Sequence, residues 1–171
     1  MSTSVLRHFA SALVLATAAG CGGPTGSPDP GLTETRELIV ASQVSDSVIT
    51  ALNSGIPDRR RLVIRAASEW AALWREATAN ISPAPPVPEF DFATEMLLVA
   101  TMGARPSGGY AIGIDSVYST GGNVHAVVRE TTPDRACMVS AVITSPVVAV
   151  RIARSSAPVE FRTRSAVHLC W

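Results

Sequence analysis

The chain lacks lysine and carries no net charge. All 14 basic residues are arginines, and 14 acidic residues balance them. Arg59, Arg60 and Arg61 form the only run of basic residues, and three residues are too few to follow a phosphate backbone. The composition therefore argues against a nucleic acid partner.

Motifs that carry catalysis are also missing. The sequence has no P-loop, no dinucleotide-binding fingerprint and no GxSxG elbow. Beyond the N-terminal region it has two histidines. We predict that His125 is a surface residue in mid-strand, and a dyad of His168 with Cys170 would need a free thiol. Asp91 and Glu95 are close in sequence, but this spacing alone does not indicate acid–base chemistry. The sequence thus predicts no enzyme, no metal and no cofactor.

The first residues contain an apolar run that is too short to span a membrane. Arg7 precedes the apolar residues 9–19, whereas a spanning helix needs ~20 such residues. This pattern predicts that residues 1–20 are a secretory signal peptide. Small residues directly before Cys21 resemble the bacterial lipobox, in which the cysteine is acylated and begins the mature protein. Cleavage without lipidation is the alternative.

The rest of the chain is predicted to consist of a tether and one domain. Residues 21–35 are rich in Gly, Pro, Ser and Thr, which predicts a lipidated cysteine followed by a flexible tether. Residues 36–171 are long enough for a single domain. We therefore expect a lipid-anchored protein of the bacterial cell envelope that faces outside the cytoplasm. In that oxidising compartment Cys137 and Cys170 are expected to form a disulfide, with two free buried thiols as the alternative.

One helix and many short strands are predicted. Trp70, Leu73, Trp74 and Ala77 recur at helical spacing in residues 68–79, so they form one apolar face, and Ser68 is the predicted N-cap. Strands are predicted at residues 36–44, 62–65, 96–102, 110–118, 124–131, 136–144, 147–152, 159–161 and 166–169. Of these, residues 96–102 are almost continuously apolar and predict a central strand buried on both faces. The fold class is α+β: an antiparallel, curled sheet of six to eight strands with the helix packed on it.

The stretch GARPSGGYAIGI, residues 103–114, joins two of these strands. Proline fixes its own φ and glycine can adopt positive φ, so a tight β-connection would account for the residues. The alternative is a loop that contacts a partner, because arginine and tyrosine on a rigid turn are typical interface anchors. The candidate partner-binding residues are Arg105, Pro106, Ser107, Gly108, Gly109 and Tyr110.

Several segments in order resemble the PrcB C-terminal domain family. They are Phe90-Asp91-Phe92, then MLLVATMGARPSGGYAIGI, VVRETTPDRACMVSAVITSPVVAVRI and VEF, within about residues 62–161. The family is named after a surface lipoprotein subunit of a bacterial protease complex, which supports assembly and is not the catalytic subunit. The resemblance implies a non-catalytic, protein-binding domain that acts as an accessory or stabilising subunit of an envelope protease. It supplies no catalytic residues to carry over.

Two other functions remain open from the sequence. Residues 105–110 are also similar to the NPTTGY loop of chagasin-type cysteine-protease inhibitors, although arginine stands where those proteins have asparagine and one threonine is missing. A small-ligand-binding envelope protein is the other alternative. It would require a preformed apolar pocket between the helix and the sheet.

Overall fold

The computed structural model describes residues 35–44 and 54–170. The predicted signal peptide, the predicted lipidation site Cys21 and nearly all of the predicted tether lie outside these residues. Within the described ranges, no helix has both the length and the apolarity that a membrane crossing requires.

The described residues form two four-stranded sheets and one helix, α1 (Ala67–Ala77). The first sheet has the order β1-β5-β6-β8, and the second has the order β2-β7-β4-β3. The strands are β1 (Glu37–Ile39), β2 (Ser42–Gln43), β3 (Arg61–Ile64), β4 (Glu95–Thr101), β5 (Ala111–Thr120), β6 (Asn123–Pro133), β7 (Val147–Ala153) and β8 (Val159–His168). The architecture is mostly β, and the strand number agrees with the expected six to eight.

The helix packs through the apolar face that its sequence predicts. Trp70, Leu73, Trp74 and Ala77 are all buried, and they belong to the core cluster between α1 and the second sheet. The predicted cap is wrong, because the helix begins at Ala67 and Ser68 already lies in its first turn. Instead, the Glu69 carboxylate accepts the free N–H groups of Arg65 and Ala66 at 2.9 and 3.2 Å. A first-turn carboxylate therefore binds the N–H groups just before the helix, and no side-chain cap from the described residues satisfies the N–H groups of the first turn itself.

Strand β4 is the centre of the fold, as its apolar run predicts. Leu97 and Val99 face α1, whereas Met96 and Leu98 face the first sheet. None of these four side chains is accessible to solvent. Alternation along one strand thus supplies two cores, one on each side of the second sheet.

The single curled sheet of the prediction is wrong in two respects. The strands divide into two sheets, and the N-terminal segment contributes β1 to one and β2 to the other. One pairing is also parallel: β8 runs beside β6 over ten residues, whereas the other named pairings are antiparallel. The intervening strand β7 belongs to the second sheet, so the chain returns to the first sheet in the direction of β6. The two strands predicted at 159–161 and 166–169 are one strand, β8.

Two further predictions fail. Residues 136–144 are not a strand; the segment has only an isolated bridge between Thr144 and Arg105. His125 is buried rather than at the surface. Its ring stacks on Tyr118 with centroids 5.0 Å apart, and its Nδ1 lies 3.2 Å from a Glu160 carboxylate oxygen. Strand alternation does place His125 on the face away from the core, but these neighbours cover it.

Candidate functional site

The two loops at one end of the sheets are joined to each other. We call residues 103–110 the glycine loop, residues 134–146 the disulfide loop, and the two together the tip. Arg105 N–H donates to Thr144 O at 2.7 Å, and Thr144 N–H donates back to Arg105 O at 3.0 Å. Further bonds run from Gly108 N–H to Ser140 O at 2.9 Å and from Thr144 Oγ1 to Ser107 O at 2.8 Å. The glycine loop therefore has a fixed conformation on a neighbouring loop.

Glycine is required in the glycine loop for two different reasons. Gly109 has φ +84°, and a Cβ there would lie 2.8 Å from Val139 Cγ1. Gly108 does not use positive φ, but its Cβ would lie 2.5 Å from Ser140 Oγ. The first glycine allows a left-handed backbone, and the second allows close approach of the two loops.

The six predicted contact residues differ in accessibility. Pro106 and Gly109 are exposed, Arg105, Ser107 and Tyr110 are half-buried, and Gly108 is buried. The Arg105 guanidinium donates to Met102 O at 2.8 Å and lies 5.8 Å from the centre of the Tyr110 ring. Arg105 therefore stabilises the glycine loop from within, and Pro106 offers more free surface. Whether these residues bind a partner stays a prediction.

The sequence prediction missed the more exposed half of the tip. In the disulfide loop Met138 is fully exposed, and Val142 and Ile143 are 56% and 66% exposed. Their segment was predicted as a strand, and the prediction singled out none of these side chains as exposed. Ser145-Pro146 and the turn at Pro133-Asp134 flank the segment and are the available signals for a loop. Grouped exposed apolar side chains are typical of an interaction surface.

Part of the chain is similar to a known protein family. Residues 96–153 match the model of the PrcB C-terminal family. The predicted family is thereby confirmed over a segment that runs from β4 to the end of β7 and includes both loops of the tip. The match suggests a domain related to a protease complex. No curated protein and no solved structure matches the chain.

The disulfide lies partly inside the PrcB C-terminal segment and partly beyond it. Cys137 and Cys170 are bonded with their Cα atoms 5.2 Å apart, as predicted. Asp134 N–H also donates to His168 O at 2.9 Å. The disulfide loop is thus held to the end of β8. With Cys137 and Cys170 bonded to each other, neither of their sulfurs is a free thiol that could pair with His168.

A cluster of charges connects the two sheets away from the apolar core. Glu130 of the PrcB C-terminal segment accepts hydrogen bonds from the side chains of Arg59 and Arg61. Burial by itself raises the pKa of Glu130, but the hydrogen bonds and charges of the two arginines outweigh it. The pKa of Glu130 therefore lies below its ordinary value, and the carboxylate stays ionised at neutral pH. The cluster joins β6 to the first residue of β3 and to the segment before it.

In the described part of the chain, no group of three or more His, Cys, Asp or Glu side chains could hold a metal ion. Two cavities among the described residues lie elsewhere than between the helix and the sheet. One of about 530 Å³ is lined from both sheets, including Ile114 and Val150, and one of about 400 Å³ lies between α1 and residues 87–92. The face between α1 and the second sheet is filled by the tryptophan-bearing core.

Proposed function

We propose that this protein is an exported lipoprotein, anchored through Cys21, whose domain binds another protein and catalyses no reaction. Its role is that of an accessory or stabilising subunit of a protease in the bacterial envelope. The PrcB C-terminal match supports the connection to a protease complex. The tip supports binding through a surface rather than through a catalytic group.

The exposed apolar side chains of the disulfide loop carry this proposal. Met138, Val142 and Ile143 project from a loop held by a disulfide at one side and by the Arg105–Thr144 bridge at the other. A loop that is already ordered loses little conformational entropy on binding. Exposed apolar side chains cost free energy while they are in contact with water. Removing them from water beneath a partner therefore contributes to binding.

Capture of the partner tests the proposal. The full chain is immobilised, an envelope extract of the source cells is passed over it, and retained proteins are identified. The test variant is Met138→Ser with Ile143→Ser, and the matched control is Val40→Ser, which removes an apolar side chain that is 87% exposed outside the tip. We expect an exported protease to be retained by the wild type and the control and lost by the double variant. Equal retention by all three proteins, or retention of no protease, would refute the proposal.

Inhibition of a cysteine protease by the glycine loop is the alternative that the sequence leaves open. A loop that enters a protease cleft must protrude beyond its neighbours. Here Gly108 is buried against Ser140, and Met138 on the adjacent loop is more exposed than Tyr110. This arrangement favours surface docking over insertion into a cleft. An assay of a papain-type protease at equimolar amounts of the chain separates the two, since an inhibitor would abolish activity.

Binding of a small apolar ligand is a second candidate because of the cavity between the sheets. Its volume of about 530 Å³ is within the range of ligand sites, and its walls include Ile112, Ile114 and Val148. The ion pair of Arg129 and Asp115, 2.9 Å apart, adds polar groups to the lining. The candidate predicts saturable, one-to-one binding of an apolar fluorescent probe. Unsaturable binding would exclude it.

A further inference from the structure

Strand β8 has a free edge in the described part of the chain. It pairs with β6 over ten residues, and no other strand of residues 35–44 and 54–170 pairs with it. The bonds Val124 N–H to Pro158 O and Asp134 N–H to His168 O, each 2.9 Å, fix the phase of this parallel ladder. In such a ladder the even-numbered residues of β8 direct their backbone groups toward β6. The backbone N–H and C=O groups of Phe161, Thr163 and Ser165 therefore point away from the sheet.

This edge is accessible. Residues 162–165 are all exposed. The β3 side of the second sheet reaches β8 through side chains, since Arg59 and Arg61 lie 3.3 and 3.4 Å from Thr163 Oγ1. An unpaired edge of this length normally pairs with another strand or is protected by charge.

The charges on β8 indicate what kind of strand it accepts. Val159 and Phe161 pack into the core, so even-numbered side chains such as Arg162 and Arg164 lie on the outer face. Arg162 is about half-exposed and 3.8 Å from Glu160, whereas Arg164 is exposed and makes no ion pair among the described residues. The unbalanced charge of this edge is positive.

Pairing of two copies through this edge is unfavourable. Two antiparallel arrangements share the greatest overlap, and in the one where Thr163 pairs with Ser165 of the second copy, Arg164 lies opposite Arg164. In the other arrangement, the backbone of Thr163 would pair with Thr163 of the second copy. Arg162 of one copy would then lie directly opposite Arg164 of the other, twice in each dimer. Like charges in directly opposed positions destabilise a sheet. The same arginines would stabilise an added strand that carries carboxylates.

We propose that the free edge of β8 binds an extended acidic segment of a partner protein as an additional strand. Backbone hydrogen bonds from the odd-numbered residues hold the segment, and Arg162 and Arg164 select carboxylates on its outer face. The surface is separate from the tip, so the inference does not depend on the proposed function.

Peptide binding to the full chain tests this inference. One peptide of about nine residues alternates glutamate with threonine, and its matched control has lysine in place of glutamate. Cross-strand charge pairs contribute modestly, so we expect about tenfold tighter binding of the glutamate peptide from two such pairs. Ser165→Pro removes an outward N–H without touching the ladder to β6, whereas Ser165→Ala keeps that N–H. We expect Ser165→Pro to lose binding and Ser165→Ala to retain it.

Charge reversal and peptide chemistry provide independent controls. Arg162→Glu with Arg164→Glu should prefer the lysine peptide, and Met138→Ser with Ile143→Ser should bind the glutamate peptide like the wild type. If Ser165→Pro does not fold, a glutamate peptide N-methylated at alternate residues replaces it and should not bind the wild type. The inference is overturned if neither peptide binds, if the two peptides bind equally, or if Ser165→Pro or N-methylation leaves affinity unchanged. Sedimentation that detects a dimer lost in Ser165→Pro would also overturn it, in favour of a second copy.

Discussion

Removal of the disulfide should destabilise the domain measurably. The change is Cys137→Ser with Cys170→Ser, and the bond closes a sequence separation of 33 residues. In the chain-entropy description, a loop of this length restricts the unfolded state by about 3.7 kcal/mol at 25 °C. Cys137 is half-buried and Cys170 is exposed, so the serines themselves change little apolar burial. We therefore expect the free energy of unfolding to fall by about 3–4 kcal/mol.

Urea unfolding followed by far-ultraviolet circular dichroism measures this change. With a denaturant slope of about 2 kcal/mol per molar urea, the midpoint should fall by roughly 2 M. Ser140→Ala, a substitution in the same loop that keeps the disulfide, is the matched control and should leave the midpoint nearly unchanged. The serine variant should also exchange the amide hydrogens of Arg105 and Gly108 faster, because their acceptors lie on the freed loop.

Two results would refute this reasoning. A loss below about 1 kcal/mol would mean that the disulfide does not restrict the unfolded chain by the amount that its loop length predicts. Unchanged exchange at Arg105 and Gly108 would mean that backbone bonds alone fix the tip, without the covalent link to β8.

Three further predictions test the fold by substitution. Gly109→Ala should destabilise the domain more than Gly122→Ala does, because both glycines have positive φ but a Cβ at position 122 meets nothing within 4 Å. Thermal melts of the two variants measure the difference. Equal losses of stability would contradict the close approach of the two loops. Glu130→Gln should cost about 2 kcal/mol at neutral pH. The pKa of Glu130 is lower in the folded than in the unfolded state, so its contribution to stability is complete above about pH 4.5 and disappears as the pH falls through the folded pKa. A loss of stability in Glu130→Gln that is independent of pH would refute the ion cluster. Leu98→Ala should lower the free energy of unfolding in urea by about 2–5 kcal/mol and Leu38→Ala by less than about 0.5 kcal/mol, since the first side chain is buried and the second is 74% exposed. Similar losses of stability in the two variants would place the core elsewhere.

The spacing of apolar residues predicted burial correctly for the helix and for the central strand. The spacing of Trp70 and Trp74 predicted the buried face of α1, and the apolar run of β4 predicted burial on both sides. The same kind of pattern was wrong for residues 136–144. There, aliphatic side chains lie in a loop that makes only a few backbone hydrogen bonds to the glycine loop, and no strand among the described residues pairs with it. Apolar periodicity cannot distinguish a core face from an exposed binding surface, since both need the same residues.

The candidate site was predicted in part for a similar reason. Glycine and proline signalled a fixed turn at 103–110, because only special backbone angles or close approach require them. The sequence could not reveal that Arg105 would donate to Met102 O, or that Met138 would be the more exposed neighbour. The position of Met138 beside the glycine loop depends on contacts between distant segments, such as the bond from Thr144 Oγ1 to Ser107 O across 37 residues.

The helix face, the central strand, the cysteine pair and the similarity to the PrcB C-terminal family could be predicted because each depends on local spacing or residue type. The tertiary structure decided the division into two sheets, the parallel position of β8 and the free edge that results. These features arise because β7 pairs in the second sheet rather than beside β6. Which strand β7 pairs with is decided by residues far apart in the sequence, and no local pattern encodes it. The tip is likewise a product of two distant segments that meet only in the folded chain.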